Sequence, residues 1–283
     1  MLYTNIVSVE PLKQHMNDPD WIIFDCRFSL DEPQKGYQEY QKSHIPGAYY
    51  AHLDDDLSSP QRADSGRHPL PEIGKFTQWL GHHGVGSDKQ VVAYDDAGGA
   101  YAARLWWMLQ WLGHEAAAVL DGGWQAWTSA EFPVDQSTRP LEANVFVPRP
   151  DRSRWLDVDQ LVHAMNADSM LVVDARGPDR FTGKADPIDP VAGHMPGAVN
   201  LPFPGNLTKD QRFRSADELC ARFQTLLADR PAETIVHSCG SGVTACHNLL
   251  AMEIAGLSGS KLYPGSWSEW ITDPKRAVVT GPD

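Results

Sequence analysis

The chain is short of cysteine, of positive charge and of long apolar runs. Only 4 of its 283 residues are cysteine. No two of them stand as Cys-x-x-Cys, so neither a zinc-site pattern nor a disulfide scaffold is encoded, and a chain of this length needs no such staples. Lys and Arg number 24 against 37 Asp and Glu, a formal net charge of −13. That balance argues against a nucleic-acid partner, because phosphate-backbone binding draws on clustered basic side chains. The most apolar segment, Ala102 to Leu112, is broken by Arg104 and Gln110 and is far too short to span a bilayer, so no membrane partner is expected. Residues 1–10 show no basic region followed by an apolar stretch, so no secretory signal is expected and the expected location is cytoplasmic.

The most informative feature present is a thiol at a turn. Thr234-Ile235-Val236-His237-Ser238 reads as a strand, Cys239-Gly240-Ser241-Gly242-Val243-Thr244 as a tight loop, and Ala245 to Ala255 as a helix. Two glycines let the loop fold back, so that successive backbone N–H groups can face one sulfur with a helix N-terminus behind them. Such a nest favours a thiolate, and the thiolate is the nucleophilic form of cysteine. A free cysteine is more often a small buried hydrophobe, which is the reading given to Cys26, Cys220 and Cys246.

An internal repeat gives that loop a context. Phe24-Asp25-Cys26-Arg27 is echoed by Val173-Asp174-Ala175-Arg176, and His44-Ile45-Pro46-Gly47-Ala48 by His194-Met195-Pro196-Gly197-Ala198. Val91-Val92-Ala93-Tyr94-Asp95 matches Ile235 to Cys239, and Gly122-Gly123-Trp124-Gln125-Ala126-Trp127 matches Gly265-Ser266-Trp267-Ser268-Glu269-Trp270. The order is conserved between copies, with offsets from 143 (Gly122 to Gly265) to 150 (His44 to His194). Asp95 stands where the second copy has Cys239, so only one half keeps a thiol. The expected organisation is a first domain over residues 1–130, a linker over 131–154 containing Pro133, Pro140, Pro148 and Pro150, and a second domain over 155–283.

Each half alternates strands with helices. Strands are expected at Trp21–Asp25, Tyr49–His52, Val91–Tyr94 and Ala117–Leu120, then at Leu171–Asp174, Ala198–Asn200, Thr234–Ser238 and Lys261–Tyr263. Helices are expected around Phe76–Leu80, Ala102–Leu112, Asp217–Leu227 and Ala245–Ala255. That order predicts an α/β fold with two mainly parallel sheets, each covered by helices on both faces. The ten tryptophans read as packing residues rather than a cofactor cage.

Taken together, these motifs resemble the two-domain rhodanese-like sulfurtransferases, which comprise thiosulfate and 3-mercaptopyruvate sulfurtransferases. The resemblance covers nearly the whole chain and rests on the duplicated Asp-x-Arg and His-x-Pro-Gly-Ala motifs, the Asp95-for-Cys239 exchange, the paired tryptophan motifs and the six-residue loop. It implies two tandem rhodanese-like domains and a persulfide on Cys239, with Gly240, Gly242, Val243 and Thr244 lining the loop. Loops of the mercaptopyruvate type read Cys-Gly-Ser-Gly-Val-Thr, as here, whereas thiosulfate-using loops carry basic side chains after the cysteine. The uncharged Gly240 and Ser241 therefore favour 3-mercaptopyruvate as donor, with thiosulfate or a sulfur-relay carrier role as the alternatives.

The resemblance also implies site residues. Arg180 matches the family's substrate-binding arginine, suited to a carboxylate. A second arginine usually precedes the His-x-Pro-Gly motif, but this stretch reads Lys184-Ala185-Asp186-Pro187-Ile188-Asp189-Pro190, and Lys184 is the candidate in its place. Ser241, His68 and Asp54 match a serine, histidine and aspartate that act on the ketone, with Asp55 and Asp56 as neighbouring alternatives. The implied acceptors are cyanide, a small thiol or a thioredoxin-like protein, and no metal or organic cofactor is implied.

Overall fold

The computed structural model describes residues 2–140, 142–228 and 230–282. The chain separates into two compact units. The first comprises residues 1–59, 70–151 and 208–213, and the second comprises residues 60–69, 152–207 and 214–283.

The first unit runs β1 (Ile6–Val7), α1 (Val9–His15), β2 (Trp21–Asp25), α2 (Lys35–Lys42), β3 (Tyr49–Tyr50), α3 (Ile73–His82), β4 (Gln90–Tyr94), α4 (Ala102–Trp111), β5 (Ala117–Leu120) and α5 (Gly123–Ser129). Its sheet has the order β1-β5-β4-β2-β3, and every pairing is parallel. Strands β2, β4 and β5 are buried throughout, the burial expected of a parallel sheet covered on both faces. Their residues alternate between the faces. Ile23, Val92 and Leu120 join one core cluster with Leu12 of α1 and Trp127 of α5. Phe24, pointing the other way, stacks on Trp79 of α3 at 5.1 Å between ring centres.

The second unit runs α6 (Val158–Asn166), β6 (Leu171–Asp174), α7 (Pro178–Phe181), β7 (Val199–Asn200), α8 (Ala216–Leu227), β8 (Ile235–Ser238), α9 (Ala245–Ile254), β9 (Lys261–Leu262) and α10 (Ser266–Trp270). Its parallel sheet has the order β7-β6-β8-β9. Val172 and Val236 pack with Leu161 of α6 and Trp267 of α10. On the opposite face the His237 ring meets Phe223 of α8 edge-on. The counterpart of β1 is a single parallel bridge, Trp155 to Leu262.

The repeat read from the sequence is the same set of contacts built twice. Arg27 clasps the Asp25 carboxylate through Nε and Nη2 and donates to Ser43 O at 2.7 Å. Arg176 does the same to Asp174 and to Gly193 O, also at 2.7 Å. Trp124 lies under Arg27 and Trp267 under Arg176, at 4.5 and 4.7 Å from guanidinium to ring centre. His44 stacks on Tyr40 at 4.0 Å, and His194 on Phe181 at 3.8 Å. Each of the two motifs ends in a glycine with positive φ, Gly47 at 77° and Gly197 at 71°, where a side chain would be strained.

Four expected strands are shorter in the structure, and three of them, Val199–Asn200, Ile235–Ser238 and Lys261–Leu262, lose one residue each. The strand expected at Tyr49–His52 ends at Tyr50, because the His52 N–H turns to the Asp56 carboxylate at 2.8 Å and starts a turn. The stretch after Glu131 is held along the first unit by scattered backbone bonds: Asp135 and His44 exchange a pair, Asn144 N–H donates to Gly81 O, and Arg149 N–H to Leu112 O.

His237 provides a stability probe. Its ring is fully buried, Nδ1 has no hydrogen-bond partner among the described residues, and Nε2 lies 3.0 Å from Met252 Sδ. Burial lowers its pKa from 6.5 to about 3, so between those values the unfolded chain binds the extra proton. This contribution is fully present above about pH 6.5 and is lost as pH falls, with a slope of up to about 1.4 kcal/mol per pH unit. His237→Leu should flatten that acid limb relative to wild type in urea unfolding between pH 7 and 4.5. Parallel limbs would contradict the assignment.

Candidate active site

Strand β8 ends at Ser238 and α9 begins at Ala245, so Cys239 sits at the mouth of a loop leading into a helix N-terminus. The Gly242 N–H donates to Cys239 Sγ at 3.2 Å. Gly242 has φ +75°, and a Cβ on it would come within 2.3 Å of Pro264 O, so only glycine brings this amide round to the sulfur. The loop is then tied to the start of α10. Cys239 N–H donates to Ser266 Oγ at 3.0 Å, Trp267 N–H to Cys239 O at 3.0 Å, and Ser268 N–H to Gly240 O at 2.9 Å.

The equivalent loop of the first unit shows what such amides do with an anion. Asp95 Oδ1 accepts the N–H groups of Ala97 and Gly99, and Oδ2 those of Tyr101 and Ala102, all at 2.8 Å. Four backbone donors converge on one carboxylate at the start of α4. The Trp124 N–H donates to Asp95 O at 2.8 Å, just as that of Trp267 does to Cys239 O. The first unit thus builds an anion nest after this strand, filled by a carboxylate, and in the second unit the Gly242 amide faces a thiol at the corresponding place.

Residues 60–69 pack with the second unit. A Cβ on Gly66 would lie 2.5 Å from Gly265 O, and the Arg67 N–H donates to Ser268 Oγ at 3.0 Å. The residues after Gly265 therefore hold this segment as well as the cysteine loop. His68 Nδ1 meets Ser241 Oγ at 2.7 Å, with both residues buried. Two of the residues expected to act together are in contact.

Arg180, on the short helix α7, directs its guanidinium to Gly240. A Cβ on that glycine would lie 3.2 and 3.5 Å from Arg180 Nη2 and Nη1, and 2.8 Å from Arg67 Nη2. The second cation beside the loop is therefore Arg67, which was not among the residues singled out from the sequence. The one signal for it was the basic residue directly before His68. Lys184 is placed elsewhere: it is largely exposed and its Nζ lies 3.3 Å from the Asp179 carboxylate. Asp186 and Asp189, in the same stretch as Lys184, hold the arginines. Asp186 Oδ1 accepts Arg180 Nε at 2.9 Å, and the Asp189 carboxylate takes Arg180 Nη2 at 2.5 Å and Arg67 Nη1.

Asp54 belongs to the first unit, half-buried, with its N–H donating to His52 Nδ1 at 3.2 Å. Asp55 is exposed, and Asp56 accepts the His52 N–H. Val243 is buried, and Thr244 is the residue before the first turn of α9. Cys26 is a poor nucleophile, because burial and then the carboxylates of Asp95, Asp25 and Asp56 push its thiol well above the ordinary range. Cys246 is fully buried with Sγ 3.3 Å from Gly242 O, and Cys220 is partly buried. Among the described residues no helix is long and apolar enough to cross a membrane.

Comparison with known proteins agrees with this geometry. The sequence profile described as "Rhodanese-like domain" matches residues 8–130 and 157–273. The chain is 44% identical over 283 residues to a Pseudomonas aeruginosa protein named "Probable 3-mercaptopyruvate sulfurtransferase", covering 99% of this chain and 100% of that one. It is 32% identical over 294 residues to the thiosulfate sulfurtransferase of Rattus norvegicus, covering 99% and 97%. The solved 3-mercaptopyruvate sulfurtransferase from Leishmania major superposes with a TM-score of 0.84 at 33% identity, covering 94% of this chain and 74% of that one.

Gly242→Ala tests the loop. The added methyl at positive φ against Pro264 O should cost roughly 1–3 kcal/mol in urea unfolding and slow iodoacetamide labelling of Cys239. A variant with wild-type stability and labelling would show that the loop tolerates a side chain there.

Proposed function

The chain belongs to the rhodanese-like family, and on that premise we propose that it is a 3-mercaptopyruvate sulfurtransferase working through a persulfide on Cys239. The observation that carries this reading is the buried Ser241–His68 contact beside a cysteine that receives a loop amide. A double displacement needs a nucleophilic sulfur, a fixed cation for the donor's carboxylate, and a proton-handling pair near its ketone. All three kinds of group converge on Gly240 and Ser241.

Arg67 and Arg180 bind the carboxylate, and a guanidinium fork suits it better than a flexible ammonium such as Lys184. The Cys239 thiolate attacks the donor sulfur, the C–S bond breaks, and its electron pair leaves as the enolate of pyruvate. The Ser241 hydroxyl, held by His68, steadies charge developing on the ketone oxygen. The enolate takes the proton that the new persulfide releases, so pyruvate departs and Cys239–S–S⁻ remains. Backbone amides from Gly240 to Thr244 shelter the terminal sulfur, the task that their counterparts perform for the Asp95 carboxylate. A thiol or cyanide then attacks that sulfur and restores the Cys239 thiolate. A thioredoxin-like protein is the proposed protein acceptor.

After mixing with 3-mercaptopyruvate, intact-protein mass spectrometry should show one added sulfur on wild type and none on Cys239→Ser; an active Cys239→Ser variant would refute the mechanism. With cyanide as acceptor, kcat/KM for 3-mercaptopyruvate should exceed that for thiosulfate at least tenfold, about 1.4 kcal/mol at the transition state. Persulfide formation without turnover on cyanide or a small thiol would instead identify a carrier. Ser241→Ala and His68→Ala should each lower kcat on 3-mercaptopyruvate by roughly 10²-fold, the usual scale for a lost acid–base or oxyanion contact, and their effects should not add if the two act as a unit.

A further inference from the structure

The cysteine loop itself carries no charge, yet two guanidinium groups stand in front of Gly240. Left alone, such a pair would favour a dianionic donor. The stretch between α7 and His194 supplies the counterweight. Asp189 spends both carboxylate oxygens on the pair, Oδ1 on Arg67 Nη1 and Oδ2 on Arg180 Nη2, with its own side chain 1% exposed. Asp186 Oδ1 takes Arg180 Nε and also accepts the N–H groups of Ile188 and Asp189 at 3.0 Å, which fixes the turn presenting Asp189. Its Oδ2 lies 3.5 Å from Arg176 Nη1, and Arg176 is already paired with Asp174. Three arginines are thus set against three aspartates, with Asp186 shared between Arg180 and Arg176 and Asp189 the carboxylate that Arg67 and Arg180 hold in common. Arg67 Nη2 and Arg180 Nη1, which make none of these bonds, lie beside Gly240.

We propose that Asp189 is a specificity-determining positioning residue of the sulfur-donor site. It locks Arg67 and Arg180 side by side and cancels one of their charges, so that the site takes a donor bearing a single carboxylate in preference to a dianion such as thiosulfate. The inference rests on the reading of the chain as a mercaptopyruvate-using sulfurtransferase. It restores, through a residue outside the loop, the charge discrimination first argued from the loop. Arg67 and Asp189 line a cleft of about 320 Å³ with Gln61, Ile188 and Ser268, and both arginines are partly exposed, so dissolved salt screens them.

The test compares wild type, Asp189→Asn and Asp189→Glu, with cyanide as acceptor, at low and high salt. Asp189→Asn should raise the thiosulfate-to-mercaptopyruvate ratio of kcat/KM fivefold or more, chiefly through a lower KM for thiosulfate, with the gain shrinking at high salt. Asp189→Glu, which keeps the charge, should shift that ratio less than Asp189→Asn does. A change below fivefold in Asp189→Asn, or an equal change in both variants, would overturn the proposal. Wild type alone provides a second measurement if the variants do not fold: pyruvate should inhibit competitively at lower concentration than sulfate, and the reverse order would overturn it. A wild-type preference for thiosulfate would count against the mercaptopyruvate reading, whereas the shift between wild type and variant judges Asp189 alone.

Discussion

Much of the second unit hangs on one buried guanidinium. Arg176 leaves the end of β6, clasps Asp174, donates to Gly193 O just before His194, and lies over the Trp267 ring, with only 1% of its side chain exposed. Trp267 in turn donates its N–H to Cys239 O. One cation therefore ties the strand end, the His-Pro-Gly turn and the helix that braces the cysteine loop. Removing one partner from such a pair leaves a buried charge uncompensated and costs about 3–5 kcal/mol. Arg27 performs the same service in the first unit, with Asp25, Ser43 O and Trp124, so the duplicated sequence motif marks a duplicated mechanical joint.

On that frame each copy builds a loop between a strand and a helix, with four amides on Asp95 in the first and the Gly242 amide on Cys239 Sγ in the second. A carboxylate accepting four N–H groups is a finished, satisfied structure, and Asp95 has nothing left to react with. A sulfur in the corresponding place is larger and softer than a carboxylate oxygen, and the Gly242 N–H donates to it at 3.2 Å. The two copies share a strand, a turn and a helix here, but their loops differ in sequence and by one residue in length, six residues between Asp95 and Ala102 against five between Cys239 and Ala245.

The proposed donor site follows a different logic, because its charges come from segments far apart in the chain. Arg67 arrives with residues 60–69, Arg180 from α7, and the aspartates from the turn before His194. Gly66 and Gly240 matter for what they omit: a Cβ on either would meet the Gly265 carbonyl or the Arg67 guanidinium. The balance of three arginines against three aspartates exists only where these segments meet.

The amino-acid sequence by itself determined the repeat, the parallel α/β architecture and the identity of Cys239, because these depend on local order: strand-length apolar runs, a glycine-bearing turn and motifs recurring at a nearly constant offset. It was legible to single residues along β2, β5 and β6, whose observed bounds are the expected ones. The short helices α1, α2, α5 and α10 were not legible, since five to eight residues of mixed polarity hold together by packing rather than by their own periodicity. Only the tertiary structure decided which cations serve the loop. Lys184 sits at the expected position in sequence but turns to Asp179 on the surface, while Arg67, more than a hundred residues upstream, reaches Gly240. Long-range electrostatics of this kind leaves no periodic trace, because partners are chosen by distance in space, and residues 67, 180 and 189 become neighbours only once both glycines have let the backbones close.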